Sequence, residues 1–200
     1  CLDLLGVPHS NRIPKIFLKG EDVLFGESFL KGSIVDSKKM LVAVHPGSGS
    51  RQKCWPMDRF AELILWLKEE MDTQILLISG PADTEIVEEL RVKVRDKFIL
   101  VDHLPVPILA AIIKRCKLFV GNDSGITHLA AAGGTRTVAI FGSTDPNTWG
   151  PRGEQVKILY KKSPCSLCPP DTRRNCFSQT CLENVTVEDV ISEIRYMVTV

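Results

Sequence analysis

The chain has no excess of charge: 25 Lys and Arg stand against 24 Asp and Glu in 200 residues, a balance that argues against nucleic acid as a partner. Small basic pairs such as Lys161-Lys162 and Arg173-Arg174 read as solvated surface. No apolar run approaches the roughly 18 residues needed to span a bilayer, so any membrane association would be peripheral, and no signal-peptide pattern is present. Internal repeats and low-complexity tracts are lacking too. Neither GxxxxGK[ST] nor GxGxxG occurs, which excludes the two commonest phosphate-loop signatures. What the chain does have is 44% hydrophobic residues, enough to bury a sizeable core in one domain of about 150 residues with flanking pieces.

Apolar periodicity places strands at 41–45, 74–79, 98–101, 117–121, 136–141 and 155–160, and helices at 56–71, 83–95, 106–115, 124–133 and 186–198. Such alternation predicts an α/β fold, a parallel sheet with helices on both faces. Thr186, with Asp189 three residues on, resembles a capping box at the start of the last helix.

Three strands run directly into turns rich in Gly, Ser, Thr and Asp. After 117–121 comes Asn122-Asp123-Ser124-Gly125, where Ser124 is suited to cap a small-residue helix and the backbone N–H groups of about 124–127 would face an anion. After 41–45 comes Pro46-Gly47-Ser48-Gly49-Ser50, whose glycines allow positive φ and close approach of a ligand. Lys53 follows on this loop, near the helix opened by Pro56, and reads either as a point charge for a pyrophosphate or as a solvated surface lysine. After 136–141 comes Gly142-Ser143-Thr144-Asp145-Pro146-Asn147. In an open parallel sheet, ligands bind outside the carboxyl ends of the strands.

Taken in order, HPGSGSRQKCWP, SGPADTE, GNDSGITHLAAA and FGSTDPNTWGP resemble the C-terminal half of glycosyltransferase family 9, the ADP-heptose:lipopolysaccharide heptosyltransferases. The resemblance covers about residues 41–195. Residues 1–40, with Leu2-Asp3-Leu4-Leu5-Gly6-Val7, resemble the end of a preceding domain and the interdomain linker; residues 41–200 would be the Rossmann-like donor-binding domain. The chain opens on Cys1 and reads as an excised fragment.

The resemblance implies a two-domain GT-B enzyme, an inverting transferase that moves heptose from ADP-heptose to the lipopolysaccharide inner core. The catalytic base is expected in the N-terminal half, so these residues should bind donor and catalyse nothing alone. Position by position, Lys53 would neutralise the diphosphate, with Ser48 on the same loop. Asp123, Ser124, Gly125 and the helix behind them would hold the phosphates and the neighbouring sugar. Glu85 would accept hydrogen bonds from the ribose, with Asp83 nearby as a rival. His128, one turn after Ser124, would either donate to a phosphate or pack beneath the loop. A cytoplasmic enzyme, peripheral at the inner face of the bacterial inner membrane, is implied. No metal is expected in transfer, since the acidic candidates Asp123 and Asp145 are isolated and form no DxD pair.

Cys165, Cys168, Cys176 and Cys181 cluster in one irregular segment, 163–182, that needs a staple to be rigid. Four thiolates at this spacing suit a structural zinc; free thiols, two disulfides or an iron–sulfur cluster are the alternatives. Cys1, Cys54 and Cys116 read as unrelated thiols, Cys116 as buried. Two other functions stay open: a different GT-B transferase or a sugar-nucleotide epimerase using UDP or GDP donors, and a metal-stapled interaction module whose working surface is the cysteine loop.

Overall fold

A computed structural model describes residues 13–33, 35–36, 38–95, 98–165, 167–176 and 178–199. Cys1 and the 2–7 stretch compared above with a preceding domain lie outside them. Six strands are present in one sheet: β1 (Met40–His45), β2 (Thr73–Ser79), β3 (Ile99–Asp102), β4 (Leu118–Asn122), β5 (Arg136–Phe141) and β6 (Val156–Tyr160). Their spatial order is β3-β2-β1-β4-β5-β6, and every pairing is parallel. The order reverses between β1 and β4, so the crevice at their carboxyl ends is the topological switch point of the sheet.

Strand periodicity sorts the core into two layers. Val42 and Val44 of β1, Ile75 and Leu77 of β2, and Leu118 and Val120 of β4 pack with α2 (Met57–Glu70), α3 (Thr84–Val94) and α9 (Val187–Thr199). The alternate residues Ala43, Leu76, Ile78 and Phe119 pack with α4 (Val106–Lys114) and α5 (Gly125–Ala132) on the other face. These strands are nearly all apolar because both faces are covered, the pattern of a parallel sheet. The expected elements are all there, with ends displaced by one residue in most cases. The capping box also forms: Thr186 N–H donates to Asp189 Oδ2 at 2.8 Å, and Asp189 N–H donates to Thr186 Oγ1 at 3.2 Å.

Helix α1 (Gly20–Gly32) was not expected from the pattern, and its packing explains why. Leu24 and Phe25 are exposed, while contact with α4 is made through Gly26, which sits against Ala111 and Ile112, and through Leu30. A helix that buries a glycine and exposes a phenylalanine shows no apolar stripe. Shorter helices α6 (Pro146–Trp149), α7 (Pro170–Arg174) and α8 (Thr180–Glu183) occupy segments read above as loops. Gly47 and Gly49 do not use positive φ; Gly134 is the glycine that does among the described residues.

Candidate functional site

Asn122, the last residue of β4, is wholly buried and ties the switch point together. Its Nδ2 donates to Pro46 O at 2.7 Å, and its Oδ1 accepts from Trp55 N–H at 2.9 Å. Both partners belong to the loop after β1, so one amide side chain holds two turns in register. The indole of Trp55 in turn donates to Val185 O at 2.8 Å and meets Phe60 edge to face, fixing the far side of the same loop. Ser48 adds a third tie, its hydroxyl donating to Asp123 O at 2.7 Å.

Ser124 adopts extended backbone and caps α5, its Oγ accepting from Thr127 N–H at 3.3 Å. The N–H groups of Gly125 and Ile126, the first two of the helix, have no intrahelical acceptor by geometry, and both residues line an adjoining cavity. A fixed array of N–H dipoles at a helix N-terminus is a seat for an anion. Lys53, in the single 3₁₀ turn Arg51–Lys53, brings its Nζ to 2.7 Å from Asp123 Oδ2. Thr144, from the turn after β5, donates to that same carboxylate oxygen at 2.7 Å. All three Gly/Ser/Thr/Asp turns therefore meet at one edge of the sheet. An ammonium has three donors, so Lys53 can keep Asp123 and still meet a ligand anion; Asp123 itself repels a phosphate and serves to aim the lysine.

Beside the seat lies a cavity of about 430 Å³, walled by Ile78, Pro81, Leu104, Val106, Leu109 and Ile126 with His45, Ser48 and Asp83 at its polar end. Apolar walls with few convergent polar groups suit the planar base of a nucleotide. A larger cleft of about 760 Å³ opens at the amino ends of β1 and β4, lined by Lys38, Lys39, Met40, Arg115 and Lys117. The smaller cavity is the better candidate, because it adjoins the anion seat at the switch point.

Asp83 is the carboxylate of this cavity. Burial pushes its pKa up, but hydrogen bonds from His45 and from Gly80 N–H, with the positive charge that His45 and His103 carry when protonated, outweigh burial and hold it below the usual value. Gly47 is needed here for close approach, since a Cβ on it would fall 2.0 Å from Asp83 Oδ1. Glu85 stands outside the cavity on the first turn of α3, its side chain 88% exposed and 3.9 Å from Arg51. His128 is exposed and does not line the cavity. The structure thus brings together Lys53, Ser48, Asp123, Ser124 and Gly125, and not Glu85 or His128. His45, Asn122 and Thr144 were not picked out as candidate site residues, and Asp83 only as the rival of Glu85; a buried histidine ending an apolar strand was the available signal.

The four clustered cysteines are free, and among the described residues no three His, Cys, Asp or Glu side chains gather as a metal-ligand set. Cys181 is buried against Gly142, whereas Cys165 is exposed and Cys168 turns its thiol to Cys165 O at 2.7 Å. Burial raises the pKa of Cys181, with a further contribution from Cys165, Cys168 and Cys176. As placed, these sulfurs do not fit a tetrahedral site.

The fold is a Rossmann-like α/β domain with a candidate anion site at its switch point. The sequence model of glycosyltransferase family 9 (heptosyltransferase) matches residues 4–179, and the chain belongs to that family. It is 26% identical over 189 residues to lipooligosaccharide heptosyltransferase 2 of Campylobacter jejuni serotype O:2, covering 90% of this chain and 58% of the relative. The fold matches the glycosyltransferase family 9 structure from Veillonella parvula with a TM-score of 0.83 at 24% identity, over 98% of this chain and 57% of that one. It also matches the Escherichia coli heptosyltransferase WaaC with ADP, TM-score 0.66 at 20% identity, over 98% and 53%. The chain therefore spans somewhat more than half the length of these proteins. Among the described residues no helix is long and apolar enough to cross a membrane.

Proposed function

We propose that this chain is the donor-binding half of an inverting glycosyltransferase that moves heptose from ADP-heptose to the lipopolysaccharide inner core. The observation that carries the reading is Lys53, held 2.7 Å from Asp123 beside the Ser124-capped helix and the apolar cavity. Family membership and the ADP bound by the WaaC relative support it. In this reading the base lies in the cavity, the diphosphate meets Gly125 N–H, Ile126 N–H and Lys53, and the sugar projects toward the other half of the enzyme.

As the glycosidic C–O bond breaks, its electron pair passes to the ADP oxygen. Preplaced N–H dipoles and the ammonium stabilise that growing charge more than they stabilise bound donor, which is what lowers the barrier. The carboxylate that takes the proton of the acceptor hydroxyl belongs to the N-terminal half, as does acceptor recognition. Residues 1–40 would then be the end of that domain and the linker, and residues 41–200 the donor domain. Glu85 would reach the ribose from the rim of the cavity, and His128 a phosphate only by turning in from solvent. Transfer needs no metal in this scheme. A structural zinc would require Cys165, Cys168 and Cys176 to turn toward Cys181, and metal analysis of the purified protein decides it: one zinc per chain supports the staple, none removes it. The enzyme would work at the cytoplasmic face of the inner membrane, held peripherally.

Calorimetric titration with ADP, UDP and GDP tests the reading. Preference for ADP is expected; preference for UDP or GDP would move the chain to another donor class, and binding of none would overturn the assignment of the seat.

A further inference from the structure

Two carboxylates flank the anion seat, and only one has a permanent counter-ion. Asp123 is neutralised by Lys53 at 2.7 Å. Asp83, equally buried, has the imidazole of His45, with Nε2 at 3.3 Å from its Oδ2. The other ring nitrogen, Nδ1, lies 3.2 Å from Oγ of Ser124, the residue that caps α5. His45 is itself only 4% exposed and lies on the wall between seat and cavity. Resting on the reading of the seat as the donor's diphosphate site, we propose that His45 is a positioning residue that takes up a proton when a nucleoside diphosphate binds.

Proton bookkeeping gives the reason. With neutral imidazole, Nε2–H donates to Asp83 and Nδ1 must accept, so the single hydroxyl proton of Ser124 is spent on His45. Asp83 then remains a net negative charge beside an incoming diphosphate. Adding one proton to Nδ1 neutralises the Asp83–His45 pair and reverses the second hydrogen bond: Nδ1–H now donates to Ser124 Oγ. The hydroxyl proton of Ser124 is freed to turn to a phosphate oxygen in place of Thr127 Oγ1, the acceptor at 3.1 Å whose own proton goes to Asn122 O, while Oγ still accepts from Thr127 N–H. Other charged groups around His45 are already engaged or more distant: His103 pairs with Asp102 at 2.6 Å, Lys53 with Asp123, and Arg51 stands by Glu85, while Cys54 is a thiol with its pKa pushed up to about 11, chiefly by burial.

The test is ADP titration of the protein across about pH 6 to 8, in buffers of different ionisation heat, beside His45→Gln and Asp83→Asn. The nucleotide's own titration is common to all three and subtracts. Wild type should take up more protons than either variant, and its affinity should gain up to about tenfold per pH unit on acidification relative to His45→Gln, the limit for one linked proton. Asp83→Asn keeps His45 but removes the charge that demands the proton, so its affinity should lose this pH dependence even if His45→Gln fails to fold. ADP binding with the same proton uptake in wild type and variants would overturn the proposal and leave the donor site standing. Absence of ADP binding by wild type at any pH would overturn the donor site itself.

Discussion

The turn after β4 and the cysteine segment 163–182 are both polar and irregular, and both carry residues with ligand-binding chemistry. They differ in what stands behind them. Asn122, Asp123 and Ser124 follow a strand buried on both faces, and their polar groups are bonded to the turns after β1 and β5 and to the cap of α5. In the cysteine segment, Cys165 is exposed and the thiol of Cys168 bonds to a carbonyl within the segment; its described ties outward are to loop and helix residues, such as Cys168 N–H to Ser143 O at 3.1 Å, Gln179 to Arg51 O at 3.2 Å and Gln52 to Arg174 O at 3.3 Å, with no strand running directly into it. What sets the candidate site apart from a loop of similar residue types is thus the strand that aims it.

Alkylation should draw this contrast most widely. Cys165 is exposed, whereas Cys116 is buried, with its thiol pushed up to about 12 by burial alone. We expect Cys165 to react in the folded protein on a scale of minutes and Cys116 only on unfolding, orders of magnitude later; equal rates would show that the core opens as readily as the loop. Next in size is Asn122→Ala, which leaves Trp55 N–H and Pro46 O buried without partners. A loss of about 3 kcal/mol is expected in denaturant unfolding, from an unmet-group cost of roughly 1–3 kcal/mol each, while a loss below about 1 kcal/mol would mean the turns hold together without it. Gly47→Ala places a methyl against Asp83 and should cost about 2 kcal/mol in the same measurement.

Lys53→Ala acts on binding more than on folding. ADP affinity should fall at least tenfold, as for the loss of a charge-assisted hydrogen bond of about 1.5–3 kcal/mol, and an unchanged affinity would disconnect the seat from the diphosphate. The smallest effect is expected for Glu85→Gln. Its side chain is 88% exposed, and a change in ADP affinity beyond about twofold would restore it to the ribose contact that the family resemblance implies.

Much of this was legible in the sequence for a physical reason: strands buried on both faces read as continuous apolar runs, and the turns that end them are marked by Gly, Ser, Thr and Asp. Lys53, Ser124 and Gly125 could be picked out as candidates because their placement is local, set by a loop or a helix end. Asn122 looked like an ordinary turn residue because its partners Pro46 and Trp55 lie 76 and 67 positions away. His45 and Asp83 meet only through the pairing of β1 with β2, which no local pattern records. Glu85 was favoured over Asp83 by its place in a motif, yet helix geometry turns Glu85 outward on α3 and leaves Asp83 at the cavity. Helix α1 was invisible because a glycine makes part of its contact while Leu24 and Phe25 stay exposed.

The most direct test of the account is to locate ADP by backbone amide chemical shifts. Perturbations concentrated at Ser48–Lys53 and at Gly125 and Ile126 are the predicted result; perturbations concentrated instead around Lys38, Lys39 and Lys117, at the opposite edge of the sheet, would contradict the seat at the switch point.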